Sequence, residues 1–430
     1  MEFQTLKRSH LKRNIIIGVV CIAIISAVVL NFTRAKYRTT QSIPLVNGTI
    51  NYELSDLNLI GVYIEDGNDY TRVDQIPDSG YTFNSEKSYC KIGDEKQDMT
   101  ITYDMNAKNL TIAPMTKKGT KCYLYFDKKT TLKDTILANN SVNSGTPNFA
   151  NTATTDEGVY KTQDDWGDSY YFRGAVNNNW VKFANFYWRI IRINGDGSIR
   201  MIYQGTSANT TGTGTQLQTN AFNSSYNRSE YVGYMYTSGQ QHGNTTNSPI
   251  KTIIDNWYSS NLASYADKIS KEAGFCGDRE MASGYSWSSQ PSSTIYYAGY
   301  GRLVANSSSV NPTFKCSNSN DLYTTSSSSK GNKKLANPIG LITADEVVMG
   351  GLPWSGSTTS NYLYTGQHYW TMSPCYVNSN GNAYVFVVWS DGSLGGNRVS
   401  NSDGVRPVIN LSADVKVTGS GTSSDPFVVS

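Results

Sequence analysis

The chain has 430 residues, a formal net charge of +3 and 30 tyrosines, and only 17% of its residues are charged. The first 38 residues contain seven of the 37 lysines and arginines and one of the 34 acids, which leaves 30 bases and 33 acids in the remainder. Because a slightly acidic chain lacks the basic surface that nucleic-acid binding requires, nucleic acid is excluded as a partner. The length is sufficient for two or more domains.

Residues 15–32 form an uncharged apolar run, IIIGVVCIAIISAVVLNF, about long enough to cross a membrane as a helix. The basic residues before it favour a cytoplasmic N-terminus. A cleaved signal peptide is the alternative, but no small-x-small cleavage site follows the run. The sequence therefore predicts a cytoplasmic tail and membrane anchor over residues 1–38. We expect a single-pass protein of the cell membrane whose C-terminal domains are extracellular.

Residues 43–131 consist of short alternating segments separated by turn residues, which predicts a small, immunoglobulin-like β-sandwich that serves as a stalk. Five of the six cysteines lie outside the apolar run, and an oxidising exterior favours their pairing. Their positions predict two disulfides, Cys90 with Cys122 and Cys276 with Cys316. Other pairings stay open, because sequence alone does not fix connectivity.

Residues 132–157 are rich in Asn, Thr and Ser, which predicts a helical turn followed by an extended linker. A larger domain follows over residues 158–430. Its first hairpin turns around Asp196, which lies between two glycines. The ligand spacing and the flanking helices of an EF-hand calcium loop are missing there, so we predict no metal site.

Two helix starts are recognisable in the larger domain. Ser248 followed by Pro249 is typical of an N-cap and a first helical position, and it predicts a helix over residues 250–269. Thr343 with Glu346 three residues later is typical of a capping box, and it predicts a second, short helix.

The C-terminal segment combines strand patterns with an unusual content of rings and small polar residues. Residues 383–389 alternate as a strand, with two valines and an alanine on one face and Tyr384 and Phe386 on the other. We expect the aliphatic face to enter a core and the rings to face solvent or a partner. The turn at residues 390–393 contains Asp-Gly, which predicts a hairpin.

Several motifs in this order carry a resemblance. They are Trp188 in an opening strand, the helix at 250–269, LITADE at 341–346, YWTMSP at 369–374 and GVRPV at 404–408. Together they resemble the C-type-lectin-like domain of the formylglycine-generating-enzyme-like branch, found in surface proteins of gut Firmicutes. The resemblance implies an α+β fold: an N-terminal membrane helix, a small all-β sandwich stalk, and a C-type-lectin-like domain with two main helices and antiparallel hairpins.

The composition of the C-terminal segment also resembles that of the variable proteins of diversity-generating retroelements, in which hypervariable positions lie between fixed frames. Rings with few rotatable bonds and small amides suit a binding surface. An ordinary exposed hairpin of a β domain is the alternative. The predicted ligand-binding residues are Tyr376, Asn378, Tyr384, Phe386, Trp389, Ser393, Asn397, Arg398, Ser400, Ser402 and Asp403.

Catalysis has weak support in the sequence. The paired reactive cysteines of the sulfatase-modifying enzyme and the Glu-Pro-Asn and Trp-Asn-Asp triplets of calcium-dependent lectins have no counterpart here. His368 and Cys375 are close in sequence, but this does not supply the geometry of a thiol and imidazole pair. The alternative function is a cell-wall glycan hydrolase that uses the acidic cluster from Asp164 through Asp165 to Asp168.

The sequence therefore predicts a cell-surface recognition protein rather than an enzyme. Its C-terminal lectin-like surface is expected to bind a protein or glycan ligand without a cofactor or metal, while the N-terminal helix contacts the membrane. Arg406 is expected to be a buried anchor that pairs with a carboxylate or with backbone carbonyls.

Overall fold

The computed structural model describes residues 50–51, 58–66, 69–77, 81–104, 107–113, 119–128, 130–354 and 356–429. The protein is mostly β, with 39% of residues in strands and 12% in helices. The α+β class expected from the sequence is therefore wrong. The chain divides into two compact units, the first ending at Lys129 and the second starting at Thr130.

The described strands of the first unit are β1 (Ile50–Asn51), β2 (Asn58–Asp66), β3 (Asp69–Val73), β4 (Tyr81–Ile92), β5 (Glu95–Gln97), β6 (Thr100–Asp104), β7 (Asn109–Ala113) and β8 (Lys121–Lys128). They form a three-stranded sheet in the order β1-β7-β6 and a five-stranded sheet in the order β3-β2-β8-β4-β5. Leu110 of β7 and Leu124 of β8 belong to one hydrophobic core, so both sheets contribute to it. Cys90 of β4 lies opposite Cys122 of β8 and is bonded to it, one of the two pairs predicted.

Helices in the described part of the second unit are α1 (Leu132–Asn139), α2 (Pro249–Asn261), α3 (Ala298–Leu303) and α4 (Ala344–Met349). Its strands are β9 (Val142–Asn143), β10 (Asp156–Asp164), β11 (Gly167–Gly174), β12 (Trp180–Phe183), β13 (Phe186–Ile193), β14 (Ile199–Gly205), β15 (Thr219–Ala221), β16 (Met235–Tyr236), β17 (Thr246–Asn247), β18 (Phe275–Cys276), β19 (Ile295–Tyr296), β20 (Leu322–Tyr323), β21 (Ile339–Gly340), β22 (Tyr369–Val377), β23 (Ala383–Val388), β24 (Leu394–Arg398), β25 (Ser402–Gly404), β26 (Val408–Leu411), β27 (Val417–Thr418) and β28 (Phe427–Val429).

Two large sheets organise the second unit. The first has the order β21-β26-β14-β13-β11-β10-β9, with β12, β27 and β28 attached beside β13. The second has the order β15-β25-β22-β23-β24, with β19 paired to β22. Trp188 of the first sheet and Trp370 of the second are fully buried and belong to one core. The second predicted disulfide, Cys276 with Cys316, is also formed.

Both predicted helix starts are present, but the helices that follow them are short. The Ser248 side chain caps α2, and Thr343 with Glu346 forms the capping box of α4. However, α2 ends at Asn261 instead of continuing to 269, because Ser-Ser-Asn at 259–261 favours caps and turns over helix interior. Six residues make up α4. The two main helices expected from the resemblance are therefore not found.

The prediction of an N-terminal membrane helix is also not borne out. In the described ranges, no helix is both long and apolar enough to cross a membrane. Their longest helix, α2, has 13 residues, or about 20 Å at 1.5 Å per residue, against a hydrocarbon thickness of about 30 Å. The apolar run at 15–32 lies outside the described residues. In the described part of the chain, the prediction of a single-pass membrane protein finds no support.

Residues 132–157, expected to be a linker, belong to the second unit. Leu132 and Ile136 of α1 are completely buried in its core, and β9 extends its first sheet by pairing with β10. The Arg173 guanidinium donates to the carbonyl of Asn151 at 2.9 Å and so holds this segment against β11. The segment is fixed by packing rather than free.

Candidate ligand-binding surface

The second sheet of the second unit and the segments packed beside it carry a group of aromatic side chains that are only partly covered. We call this group the ring surface; its members are Tyr285, Tyr296, Tyr300, Trp354, Tyr376 and Tyr384. Each ring lies beside another member, with centroid separations from 4.2 to 6.2 Å. Tyr285 is 42% exposed, and the others are half-buried. Such rings are supported from below and still reachable from outside.

Strand pairing explains why these rings meet. Tyr296 of β19 lies opposite Tyr376 of β22, which lies opposite Tyr384 of β23, which in turn lies opposite Arg398 of β24. Residues opposite one another on adjacent strands point to the same face. The four side chains therefore form one row across four strands. The Tyr376 and Tyr384 rings stack with centroids 4.4 Å apart and an interplanar angle of 17°.

The Arg398 end of this row contains polar atoms without partners. The Arg398 guanidinium lies 4.7 Å from the ring centroid of Tyr226, which is 40% exposed. Among the described residues, Arg398 Nε, Ser400 Oγ and Asn223 Nδ2 are buried and have no hydrogen-bond partner. Buried polar atoms are normally hydrogen-bonded, so these three are exceptions, and they are too deeply buried for a ligand on the surface to reach.

Burial affects the tyrosine hydroxyls of the ring surface. It raises the pKa of Tyr376 well above its ordinary value, and neighbouring Cys375 and Tyr384 add to the shift. Burial also raises the pKa of Tyr300, again with a contribution from a neighbouring tyrosine. Both hydroxyls stay protonated at neutral pH and can donate a hydrogen bond to a ligand.

The expectation that the Phe386 ring faces solvent or a partner is wrong. The Phe386 side chain is completely buried, and its ring lies perpendicular to Trp354 with centroids 5.9 Å apart. Val385 and Val387 on the opposite face are completely buried as well. Both faces of β23 are therefore covered along most of its length, and only Tyr384 near its start stays accessible.

The remaining predicted residues do not all join the ring surface. Asn397 and Arg398 are consecutive in β24, so their side chains leave opposite faces of the sheet. Asn397 Nδ2 donates to Asp403 at 2.7 Å. Asp403 and Ser402 line an open polar cavity of about 350 Å³. Trp389 is half-buried and packs against His368, another lining residue of that cavity, with ring centroids 4.7 Å apart.

Two predicted residues have mainly local roles in turns. Asn378 accepts the amides of Asn380 and Asn382 and shapes the turn between β22 and β23. Ser393 donates to Asp391 at 2.7 Å in the hairpin turn that the sequence predicted between β23 and β24. The predicted residues thus lie at the ring surface, at its Arg398 end, around the polar cavity and in two turns, except for Phe386, which lies in the core.

The polar cavity contains the residue types of a serine hydrolase, but not its geometry. His368 Nε2 lies 3.1 Å from Ser390 Oγ. On its other side, Nδ1 is 3.6 Å from Asp403 Oδ1, too long for a hydrogen bond. A catalytic imidazole is oriented by a carboxylate that accepts its second N–H. Because His368 Nδ1 and Asp403 Oδ1 are 3.6 Å apart, this bond is not formed.

The other catalytic candidates have structural roles. Cys375 is completely buried, and burial raises the pKa of its thiol well above the ordinary value, which keeps it protonated and unreactive. Asp164 is paired with Arg192 at 2.6 Å and accepts the amide of Gly195 at 2.9 Å. Asp168 is paired with Lys161 at 2.6 Å on the surface.

Asp165 lines a small cavity together with Arg192, Arg302 and Glu346. The volume of this cavity is about 20 Å³, which is room for about one water molecule and not for a sugar ring. In the part of the chain that the structure describes, no group of three or more His, Cys, Asp or Glu side chains could hold a metal ion. Asp196, considered for calcium, accepts the backbone N–H of Ser198 at 2.9 Å and caps its own turn.

Sequence reasoning missed most of the ring surface. Tyr285 precedes the two-residue strand β19, Tyr296 ends that strand, and Tyr300 lies in the short helix α3. Trp354 lies in the loop after α4. The pairing of β19 with β22 brings Tyr296 beside Tyr376. Tyr285 and Tyr300 then pack on Tyr296, and Trp354 packs on Tyr300. The high tyrosine content was the available signal, but it does not tell which tyrosines meet.

Comparisons with protein-family models, with curated proteins and with solved structures gave no match to this chain. Its class is therefore defined by its own fold and surface. It is a disulfide-bonded, mostly β protein of two units. The second unit has a row of partly exposed rings on one face of a sheet.

Proposed function

We propose that the second unit is a recognition module that binds a protein or a glycan through the ring surface. The observation that carries the proposal is the row Tyr296, Tyr376, Tyr384 and Arg398, which four adjacent strands hold on one face. Tyrosine, tryptophan and arginine are the residues that dominate the binding energy of interfaces. Here they are adjacent, partly exposed and rigidly supported.

Preorganisation supports the proposal further. Tyr376 packs against three other members of the ring surface, so little side-chain freedom is left to lose on binding. The ring orientations are mixed: Tyr376 is stacked on Tyr384 and nearly perpendicular to Tyr300. An uneven surface of this kind is suited to a ligand that has both flat and protruding parts.

Polar atoms beside the row would set specificity. The Arg398 side chain is partly exposed, and its guanidinium can donate hydrogen bonds to a ligand that presents acceptors there. A ligand without such acceptors binds more weakly. The two disulfides are typical of proteins that work in an oxidising compartment, which favours an extracellular ligand.

The proposal is tested with the full chain on two libraries, an array of glycans and a yeast-displayed library of protein fragments. Any ligand found is measured again with the double variant Tyr376→Ala and Tyr384→Ala. We expect at least a roughly 30-fold loss of affinity, since a single hot-spot ring is worth about 2 kcal/mol.

The matched control is the double variant Tyr160→Ala and Tyr170→Ala. These half-buried tyrosines lie on the adjacent strands β10 and β11 of the other sheet. The control should keep the affinity of the unmodified protein. Equal affinities for the unmodified chain and the ring variant would move the binding site elsewhere and defeat the proposal.

A further inference from the structure

The first unit has a second group of tyrosines, on the outer face of its five-stranded sheet. We call Tyr63, Tyr89, Tyr123 and Tyr125 the tyrosine face. Tyr63 stacks on Tyr125 and Tyr89 stacks on Tyr123, in both cases with centroids 4.9 Å apart and interplanar angles of 12° and 19°. The two stacked pairs are 6.3 to 6.4 Å apart. All four rings are half-buried.

Alternation along the central strand explains this face. In β8, Cys122, Leu124 and Phe126 are completely buried, while Tyr123 and Tyr125 between them point to the other side. The Tyr63 ring lies close over Gly61: a Cβ at Gly61 would be 2.6 Å from the ring. The missing side chain lets the ring lie low against the sheet. The face is therefore flat and aromatic.

A row of three lysines borders the tyrosine face at one end. Lys121 of β8 lies opposite Lys91 of β4, which lies opposite Lys96 of β5. Like charges directly opposite each other destabilise a sheet, so this arrangement costs the fold stability. Lys91 Nζ lies 5.6 Å from the Tyr123 ring centroid and Lys96 Nζ 4.3 Å from that of Tyr89. The ammonium groups thus reach over the rings.

The charges of this row are poorly compensated. The carboxylate of Asp94, whose side chain is fully exposed, lies 3.6 Å from Lys91 Nζ. Within the residues that the structure describes, neither Lys96 nor Lys121 forms an ion pair. Exposed pairs at such distances contribute little. This end of the face stays positive.

The acids at the other end of the face are occupied. Glu65 accepts the backbone amide of Lys128 at 2.8 Å. Asp127 accepts hydrogen bonds from the Asn84 side chain at 2.8 Å and from the Tyr70 hydroxyl. Lys87 lies there too and donates to the Tyr70 hydroxyl at 2.7 Å. The face therefore runs from a cationic row across two aromatic pairs to an acidic end that is already hydrogen-bonded.

We propose that this face binds a carboxylate-bearing polysaccharide, with sugar rings over the tyrosines and carboxylates on the lysine row. Flat rings offer apolar area to the C–H faces of sugars, and the lysines complement a repeated negative charge. A neutral glycan has no negative charge with which the lysine row could pair. A nucleic acid would engage the lysine row through its phosphates instead, and oligo(dT) tests that alternative. The proposal does not depend on the function proposed for the second unit.

The test measures binding of the full chain to oligogalacturonate, oligomannuronate and hyaluronan by titration calorimetry. At least one of the three should bind, and its affinity should fall as NaCl is raised, because salt screens exposed charges. The methyl-esterified form of the same oligosaccharide keeps its rings and loses its charge, and it should bind at least tenfold more weakly. Oligo(dT) of equal charge should also bind more weakly.

The variant that tests the lysine row is Lys91→Gln, Lys96→Gln and Lys121→Gln together. It should lose at least tenfold in affinity, while its melting temperature stays equal or rises because the like-charge repulsion is relieved. Lys128→Gln, at the far end of β8, is the matched control and should bind normally. The assignment is overturned if none of the three polysaccharides binds, if the ester or oligo(dT) binds as well as the acid, or if the triple variant keeps its affinity.

Discussion

Tyr376 and Tyr384 lie opposite each other on neighbouring strands and stack, while Phe386, two residues further along β23, is sealed beneath Trp354. One strand thus carries an accessible ring and a ring for the core. The distinction matters because substitutions at the two positions should have different consequences.

The first prediction separates these two roles. Phe386→Ala should lower the free energy of unfolding by about 3–5 kcal/mol, since it leaves a cavity in the core. Tyr384→Ala should cost only about 1 kcal/mol, mainly the lost stacking with Tyr376. Urea unfolding followed by tryptophan fluorescence measures both, because all eight tryptophans lie in the second unit. Equal costs for the two variants would contradict the assignment of Phe386 to the core.

The second prediction concerns the unpaired polar atoms. Ser400→Ala should leave the stability unchanged or raise it, because the buried Ser400 Oγ has no partner to lose among the described residues. Ser169→Ala is the matched control. Its hydroxyl donates to the Ile193 carbonyl at 2.7 Å, so its removal should cost about 1 kcal/mol or more. Thermal unfolding of both variants checks the contrast, and a destabilised Ser400→Ala protein would mean that this hydroxyl is already bonded.

The third prediction concerns pH. Burial alone would raise the pKa of Glu346, but its ion pairs with Arg200 and Arg192 outweigh burial and hold the pKa below its usual value of 4.5. A lowered pKa in the folded state means that the group contributes its full stability above pH 4.5. That contribution is lost as the pH falls through the folded-state pKa.

Glu346→Gln should therefore cost about 3–5 kcal/mol at pH 7, because it leaves the buried Arg200 without a carboxylate and the buried Arg192 with Asp164 alone. The cost should shrink as the pH is lowered, since the unmodified protein then loses the same charge. Urea unfolding between pH 7 and 3 measures the difference, with the exposed Asp267→Asn as control. A cost that is independent of pH would rule out a charged Glu346.

The fourth prediction concerns variation between isolates. If the C-terminal segment is diversified, substitutions should concentrate at accessible positions such as Tyr376, Tyr384 and Arg398. They should avoid Val387, which is completely buried, because even one changed methylene is felt in a close-packed core. Sequencing the same locus in sister isolates tests this pattern. Substitutions spread evenly over buried and accessible positions would argue against diversification.

The local features of the chain could be predicted from its sequence because each depends on a few neighbouring residues. The caps at Ser248 and Thr343 and the Asp-Gly hairpin turn are of this kind. Arg406 is also a buried anchor: its guanidinium donates to the Tyr203 carbonyl at 3.0 Å and to Gln204 Oε1 at 2.8 Å. Its partners are carbonyl groups, one of the two options that the sequence left open.

Non-local features could not be predicted in the same way. Alternation places Tyr384 and Phe386 on one face, but it does not show that Trp354 covers only the second of them. The row that includes Tyr296 depends on a two-residue strand, β19, which has no periodicity to recognise. Helix length was overestimated because the apolar spacing of residues 250–269 continues past the point where α2 ends.

Cys375 is a natural probe for local opening of the sheet that carries Tyr376 and Tyr384. Its thiol is completely buried beside Gly396, where an added Cβ would be 3.2 Å from the sulfur, and it is the described cysteine that is not in a disulfide. A maleimide reagent can reach this sulfur only when the neighbouring strands separate. The labelling rate therefore measures how often the strands beneath the rings open locally. A ligand that binds on these strands should slow the labelling, and more so the higher its affinity.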